Sequence, residues 1–191
     1  MLFFEFVRLI KELKPKYFLL ENVVMKQEYQ DVISKYLGCK PIRIDSALVS
    51  AQTRKRLYWT NIPNVTQPED KGIVLKDILK HGMAGEDAVK HTDRNRRHLK
   101  SVDGKSLCAT ATMYKGAGNN GTTLIQVADE ENCEWRKLTV LECERLQTLP
   151  NGYTLVLDEK GNQLVSNSQR YKMIGNGWTI DVITHILKNI I

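Results

Sequence analysis

The sequence lacks any apolar run that could span a membrane. A transmembrane helix needs roughly 20 consecutive apolar residues, and no stretch of this chain approaches that length. Glu5 and Arg8 interrupt the apolar opening, and no small-residue cleavage site of a signal peptide follows it. We therefore expect a soluble, cytoplasmic protein with no membrane partner.

Cysteine is scarce, and its spacing argues against the common cysteine-based sites. The four cysteines are Cys39, Cys108, Cys133 and Cys143. None belongs to a C-x-x-C pair or stands near a histidine at zinc-finger spacing. We expect no metal site and, without a secretory signal, reduced and mostly buried thiols.

What is present is a basic chain of globular composition. The 191 residues are 42% hydrophobic and contain 28 Lys plus Arg against 22 Asp plus Glu. This length can bury a sizeable core, and the net charge of +6 favours polyanionic partners. Part of the basic excess lies at 90–100, although such a cluster alone is more often a solvated surface.

The first third of the chain has the rhythm of an α/β fold. Apolar residues recur at helical spacing over 3–13, and Pro15 ends that predicted helix. The continuously apolar run 17–20 is typical of a strand covered on both faces, which indicates a parallel sheet. A second helical stripe covers 29–37, and Gly38 closes it. Helix, strand and helix in this order predict an α/β architecture.

The middle of the chain changes character. Two strands are predicted at 42–46 and 57–62, joined by a polar segment that contains Arg54 and Arg56. We expect both arginines on a loop beside the sheet, where functional residues often lie. Over 63–134 the helical periodicity fades and turn residues gather, which indicates a separate small lobe.

Regular helices are predicted again in the last third. Thr139 and Glu142 form a T-x-x-E capping box, which begins a helix that ends before Pro150. An apolar stripe over 179–191 predicts a final helix. We expect this helix to pack onto the sheet of the first third.

The segment Gly116–Gly121 matches the G-x-G-x-x-G fingerprint, but its context argues against a dinucleotide site. The fingerprint requires a helix after the glycines, whereas 122–127 is rich in strand-forming residues. The segment 106–112 also has a strand-like sequence. We therefore predict a hairpin whose connection contains these glycines.

Four segments carry the functional signal. They are Tyr17–Val23, Gln52–Arg56, Arg136–Gln147 and Tyr171–Trp178. In this order they resemble the C-terminal conserved blocks of the DNA cytosine-5 methyltransferases, in particular the bacterial, phage and de novo types. The resemblance extends over about residues 15–186 and implies the second half of a DNA-modifying enzyme.

The resemblance also implies a fold and a division of the chain. The fold is α/β: the C-terminal part of a Rossmann-like methyltransferase sheet that depends on S-adenosylmethionine, with a small, mostly β target-recognition lobe. Residues 1–62 would form the second half of the catalytic domain, and 63–134 the target-recognition lobe. Residues 135–191 would form a bracing helix and a C-terminal helix that returns to the catalytic domain.

Glu21 belongs to the block whose glutamate, in the family, binds the N3 and exocyclic amine edge of the flipped cytosine. A cysteine thiolate must add to C6 of that ring, and a proton or strong hydrogen bond at N3 eases the addition. We expect Glu21 at the C-terminal end of its strand, the edge where open α/β sheets hold their sites. The apolar residues 18–20 lead us to expect a raised pKa for this carboxyl group.

Arg54 and Arg56 lie in a block that matches the family's Q-x-R-x-R pattern. The resemblance implies an arginine that contacts the cytosine O2 and a neighbouring phosphate. Guanidinium suits both tasks because it is always charged and offers a planar fork of donors. We predict the base contact for Arg56 and a supporting catalytic role for Arg54. Standing alone, this pentapeptide would be a surface basic cluster.

The segment 136–147 resembles the block that braces the family's recognition lobe. Its role would be structural, since the capping box and the apolar residues account for much of the pattern. Ion pairs of Arg136, Glu144 and Arg145 would hold the lobes, although exposed pairs are individually weak.

The segment 171–178 resembles the block that approaches the methionine portion of S-adenosylmethionine. Asn176 would supply amide hydrogen bonds, and Trp178 an apolar or cation-binding face. Gly177 and Trp178 depart from the common form, in which Ser-Val is frequent. A tryptophan of the core is the alternative interpretation of Trp178.

Double-stranded DNA is the partner that the resemblance implies. Basic side chains of the predicted lobe would contact phosphates, and two threonines would reach a groove. These residues are Arg94, Arg96, Arg97, Lys100 and Lys115 for the phosphates, and Thr110 and Thr112 for the groove.

The N-terminal blocks of the family have no counterpart in this sequence. It contains no Pro-Cys dipeptide and no aromatic-x-Gly-x-Gly cofactor loop before Glu21. Three interpretations stay open: one chain of a split enzyme completed by an N-terminal partner, a truncated single-chain enzyme, or a catalytically inactive DNA-binding relative. A basic nucleic-acid-binding module would explain the charge, but not the order of the four blocks.

Overall fold

The computed structural model describes residues 2–80, 88–117, 121–128 and 133–190. The chain divides into two compact units. Unit 1 comprises Met1–Asp45, Lys55–Pro68 and Thr184–Ile191, and unit 2 comprises Ser46–Arg54 and Glu69–Ile183. None of the helices in the described ranges combines the length and the apolar composition of a membrane span.

Unit 1 combines two helices with a three-stranded sheet. In chain order its elements are α1 (Leu2–Leu13), β1 (Leu19–Val23), α2 (Gln27–Leu37), β2 (Ile42–Asp45) and β3 (Lys55–Thr60). The core contains Ile33, Leu57 and Trp59, which pack together. The Trp59 indole N–H donates to the hydroxyl of Ser34 at 3.0 Å, so this ring is buried without losing its polar partner.

The sheet of unit 1 corrects the expectation of parallel strands. Its order is β1-β3-β2, and the central β3 pairs antiparallel with both neighbours. The prediction of a parallel sheet was drawn from the apolar run 17–20. Such a run indicates that a strand is covered, but it carries no information on the direction of the neighbouring strands. Glu21 consequently lies in the middle of β1 instead of at its end, and Arg56 lies in β3 instead of on a loop.

Unit 2 holds a second antiparallel sheet and short helices. In chain order its elements are α3 (Leu75–Ile78), β4 (Ala88–Val89), α4 (Asp93–Arg96), β5 (Leu124–Ala128), β6 (Cys133–Lys137), α5 (Val140–Leu146) and α6 (Asn167–Asn176). The sheet order is β4-β6-β5. A final helix, α7 (Ile180–Leu187), begins in unit 2 and ends in unit 1. Short 3-10 turns form at Ser46–Leu48 and Met113–Lys115.

Local sequence signals predicted several helix ends correctly. Gly38 closes α2 with a left-handed φ of 71°, and its amide donates to the Ser34 carbonyl. The capping box before α5 is present: the Thr139 hydroxyl accepts from the Glu142 amide at 3.2 Å, and the Glu142 carboxylate accepts from the Thr139 amide at 2.8 Å. The final helix is present, but at Ile180–Leu187 it is shorter than the predicted 179–191.

Two other predictions about unit 2 fail. The segment 106–112 is not a strand, since only Ser106 forms an isolated bridge, to Gln52. Residues 124–127 do belong to strand β5, but β5 pairs with β6. The predicted hairpin is therefore wrong in its first strand, and residues 118–120 of its connection lie outside the described residues.

Gly175 sits where α6 packs directly on the backbone of a neighbouring loop. A Cβ at this position would lie 2.1 Å from the Thr110 carbonyl carbon and 2.3 Å from the Ala111 nitrogen. Backbone atoms cannot turn aside as a flexible side chain can. The loop and the helix therefore approach this closely only because residue 175 has no side chain.

Replacing Gly175 by alanine is expected to lower the free energy of unfolding by at least about 2 kcal/mol, because the methyl group would force the loop and the helix apart. Urea unfolding followed by circular dichroism measures this. Gly104→Ala is the matched control, since its Cβ would meet only the Ser101 carbonyl oxygen at 3.4 Å. Equal effects of the two substitutions would contradict the packing described above.

Candidate active site

In unit 1, Glu21 and Arg56 form an ion pair. The Arg56 Nε atom lies 2.8 Å from Glu21 Oε1, and the side chains are only 15% and 18% exposed. Arg56 also donates from Nη1 to the carbonyl of Lys55 at 2.9 Å. The structure thus brings together the predicted carboxylate and the predicted base-contacting guanidinium.

The sheet register explains this contact. Glu21 on β1 stands opposite Tyr58 on β3, and Val23 stands opposite Arg56. Arg56 is two residues from Tyr58, so its side chain is on the same face as that of Tyr58 and reaches Glu21 diagonally. The sequence separation of 35 residues is closed by strand pairing, which fixes the pair on a rigid element.

Arg54 behaves differently from Arg56. It belongs to unit 2, its side chain is buried, and its guanidinium donates to the carbonyls of Ala109 at 2.8 Å and Gly177 at 2.9 Å. A guanidinium engaged with two backbone segments holds them in place. This geometry favours a supporting role for Arg54.

Two glutamines that the sequence analysis did not single out lie at the centre of the same network. Gln52 and Gln147 are both fully buried and bond each other, Nε2 to Oε1, at 3.0 Å. Gln52 also accepts from the Ala109 amide, and Gln147 donates to the carbonyls of Ile174 and Gly177. These bonds connect the 52–56, 136–147 and 171–178 blocks, so their co-occurrence in the sequence has a physical basis.

Arg136 braces the start of α5 through a buried ion pair. Its Nη1 and Nη2 atoms lie 2.8 Å from the two carboxylate oxygens of Glu142, in a bidentate arrangement with side chains only 4% and 0% exposed. Burial would raise the pKa of Glu142, but the hydrogen bonds from Arg136 and from the Lys80 and Thr139 amides outweigh it and lower the pKa below its ordinary value.

Glu144 makes the second buried pair, with a partner that the sequence did not predict. Its carboxylate accepts from the Gly152 and Thr154 amides and from Arg170 Nη2 at 3.2 Å. Burial again would raise the pKa, and the hydrogen bonds from Thr154, Gly152 and Arg170 lower it overall. Arg145 instead donates to the side chain of Asn151 and to the Ile78 carbonyl. The ion pairs expected at the surface of this block are therefore buried. Arg136 pairs with Glu142, and Glu144 pairs with Arg170.

The lowered pKa values of Glu142 and Glu144 predict acid-sensitive folding. A carboxyl group with a lower pKa in the folded state than in the unfolded chain stabilises the fold above the unfolded value of 4.5, and that stabilisation is lost as the pH falls through the folded pKa. We expect the free energy of unfolding to fall steadily below about pH 4.5. Glu144→Gln should flatten this dependence, and urea titrations between pH 7 and pH 3 measure it.

Asn176 and Trp178 lie in unit 2, at the end of α6 and just beyond it. Trp178 is 44% exposed, which rules out the core-tryptophan interpretation. Trp178 lines a cavity of about 370 Å³ whose wall also includes Tyr153, Met173 and Ile180. Arg54 and Gln147 both bond the Gly177 carbonyl, and so fix the peptide that carries Trp178.

The predicted DNA contacts are mostly exposed and lie in unit 2. Arg94, Arg96 and Arg97 are exposed at α4 and its C-terminal end. The Arg96 guanidinium lies 5.6 Å from the ring centroid of Trp135, against which His91 also stacks at 4.3 Å. Lys115 and Thr112 are likewise exposed, and Lys100 and Thr110 are half-buried. The Thr110 and Thr112 hydroxyls lie 3.0 Å apart and bond each other.

Two solved methyltransferase structures have a fold similar to that of this chain. The Dnmt2 methyltransferase of S. pombe matches with a TM-score of 0.66 and 19% identity, covering 97% of this chain and 70% of that one. The Entamoeba histolytica methyltransferase EhMeth matches with a TM-score of 0.72 and 16% identity, covering 96% and 67%. The two small sheets and their helices therefore belong to a methyltransferase fold, which confirms the predicted fold class.

A family model identifies the family to which this chain belongs. The model of the C-5 cytosine-specific DNA methylase family matches residues 1–38 and 43–191. This chain therefore belongs to the C-5 cytosine-specific DNA methylase family, as the four blocks predicted, and the prediction of a methyltransferase is confirmed at this level.

Curated relatives are longer than this chain. The type II methyltransferase M.Bsp6I of Bacillus sp. (strain RFL6) is 24% identical over 229 residues, covering 99% of this chain and 69% of the relative. M.NgoPII of Neisseria gonorrhoeae is 23% identical, covering 97% and 67%. M1.ScrFI of Lactococcus lactis subsp. cremoris is 24% identical, covering 100% and 55%. The chain thus spans between 55% and 69% of the length of these three relatives.

Proposed function

We propose that this chain forms the C-terminal portion of a DNA (cytosine-5)-methyltransferase. It would bind a cytosine rotated out of duplex DNA, and the methyl group of S-adenosylmethionine would be transferred to C5 of that base. The nucleophilic cysteine would come from an N-terminal segment or partner chain. The observation that carries this proposal is the Glu21–Arg56 pair, held at 2.8 Å on adjacent strands.

The Glu21–Arg56 pair offers hydrogen-bonding groups that match the polar edge of a cytosine. A thiolate adds to C6 more readily when N3 is protonated or strongly hydrogen-bonded, because negative charge then does not accumulate on the ring. Glu21 would hold N3 and the exocyclic amine, and Arg56 would donate to O2. Each side chain already orients the other, so little rearrangement is needed when the base arrives.

The cofactor would rest against the end of α6. When bound, S-adenosylmethionine supplies a methyl group activated by its sulfonium. The half-exposed ring of Trp178 beside an apolar cavity of about 370 Å³ suits an aliphatic chain and a cationic group. Asn176 would add amide hydrogen bonds, and Arg54 and Gln147 would keep the Gly177 peptide in position.

Unit 2 would contribute the DNA contacts. The arginines of α4 are exposed and positively charged, as phosphate contacts must be. Thr110 and Thr112 would face a groove, with Lys100 and Lys115 as further phosphate contacts. In this proposal 1–62, 63–134 and 135–191 retain the catalytic, recognition and bracing roles implied by the family.

Reconstitution tests the proposal. This chain would be fused to the segment of M.Bsp6I that lies outside the matched region, and transfer of a labelled methyl group to duplex DNA would be measured. We expect activity in the fusion and none with either part alone. DNA binding by the fusion without any methyl transfer would instead support the inactive, DNA-binding relative.

A further inference from the structure

Two lysines from separate segments of unit 2 share one aromatic ring. The Lys172 Nζ atom lies 4.6 Å from the Tyr114 ring centroid, and the Lys115 Nζ atom lies 6.0 Å from it. Lys172 is on α6, whereas Tyr114 and Lys115 form part of the 3-10 turn Met113–Lys115. We call Tyr114, Lys115 and Lys172 the Tyr114 platform.

The platform has a fixed geometry. Gly175, on the same helix as Lys172, lies against the backbone of Thr110 and Ala111, just before the 3-10 turn. The Met113 amide donates to the Thr110 carbonyl at 3.1 Å, and the turn begins there. A helix and a turn that pack on each other through backbone atoms hold their side chains in a constant relation.

The two positive charges of the platform favour the binding of an anion. Both lysines are exposed, and neither forms an ion pair with any residue that the structure describes. A cation–ring contact at an exposed site is weak, and two like charges on one ring repel each other. A ligand with negative oxygens would relieve that repulsion and accept hydrogen bonds from both ammonium groups.

We propose that the Tyr114 platform binds a phosphate of the DNA backbone, which makes Lys172 a DNA contact that lies outside the recognition segment. This rests on the proposed function and extends its DNA surface to α6. DNA is favoured over another anion because Thr112 is exposed on the adjoining turn and its hydroxyl bonds that of Thr110. Phosphates line both edges of a DNA groove, so ammonium groups beside two groove-facing threonines lie where a backbone phosphate would be.

The salt dependence of DNA binding tests the platform. The affinity of the full chain for a labelled duplex would be measured by fluorescence anisotropy at several NaCl concentrations. Each lost phosphate contact lowers the slope of log K against log salt by about 1. We expect this loss for Lys172→Gln and for Lys115→Gln, with weaker binding to every duplex sequence tested.

Matched variants distinguish the effect of losing the site from the effects of a changed net charge and of impaired folding. Lys160→Gln removes an exposed lysine with the same change in charge and should leave the slope unchanged. Tyr114→Phe keeps the ring and should bind as the unchanged chain does, whereas Tyr114→Ala should weaken binding. Thermal midpoints of all variants show whether each still folds.

The outcomes distinguish this inference from the proposed function. Unchanged slopes for Lys172→Gln and Lys115→Gln in folded variants would overturn the platform, even if the reconstituted enzyme methylates DNA. Reduced slopes for both lysine variants, together with a fusion to the M.Bsp6I segment that binds DNA but transfers no methyl group, would uphold the platform and reject the enzymatic role. Tighter binding of duplex RNA than of duplex DNA would overturn the assignment to DNA.

Discussion

Replacing Glu21 by glutamine in the reconstituted enzyme is expected to lower kcat/KM for methyl transfer at least about 100-fold, the usual scale for losing a positioned proton donor or acceptor. The amide keeps the size of the side chain but cannot act as a carboxylate toward N3 or pair with the Arg56 guanidinium. DNA affinity should stay within about twofold, because phosphate contacts supply most of it. Steady-state transfer rates and anisotropy together measure both quantities.

Glu28→Gln is the matched control for this prediction. Glu28 carries the same carboxylate in the same unit, but it is exposed at the start of α2 and lies 3.8 Å from Lys26 in an exposed pair. Its substitution should leave kcat/KM nearly unchanged. A fall in DNA affinity that accounts for the whole loss in the Glu21 variant would show that Glu21 acts in binding instead of in the reaction.

Replacing Arg136 by methionine is expected to lower the free energy of unfolding by about 3–5 kcal/mol, the cost of leaving one member of a buried ion pair without its partner. Glu142 would keep the amide hydrogen bonds from Lys80 and Thr139, but its carboxylate is fully buried and would lose both guanidinium contacts. Urea unfolding at pH 7 gives the difference directly.

An exposed pair in the same unit provides the comparison. Lys76 and Asp103 lie 2.7 Å apart with side chains 60% and 68% exposed, so Lys76→Gln should leave the free energy of unfolding nearly unchanged. If Arg136→Met destabilises as little as Lys76→Gln, the bidentate pair does not brace α5. Combining Arg136→Met with Glu142→Leu should restore part of the loss, because the buried charge would be gone.

The sequence predicted those features that depend on neighbouring residues. A helix end needs only a left-handed glycine, as at Gly38, or a reciprocal cap, as at Thr139 and Glu142. The helix α6 was missed although Ser166 and Gln169 form the same kind of capping box. Its sequence is largely polar, so the apolar periodicity that reveals a helix is weak there.

Features that depend on distant residues could not be predicted in the same way. The apolar run before Glu21 indicated a buried strand but carried no information on the direction of its partner β3. The hydrogen bond from Gln52 to Gln147 joins residues 95 positions apart in the chain, and nothing local to either segment indicates that the two side chains meet. The family blocks marked both segments, whereas the hydrogen bonds between them became visible only in the fold.

Trapping with 5-fluorocytosine tests the central claim most directly. Fluorine at C5 cannot leave as a proton does, so an enzyme that adds a cysteine to C6 and methylates C5 stays covalently attached to the base. The reconstituted enzyme should form this adduct with a duplex carrying 5-fluorocytosine at the target position, through the cysteine of the added segment, and Glu21→Gln should form little or none. An adduct of equal yield in the Glu21 variant, or none with either enzyme, would contradict the account.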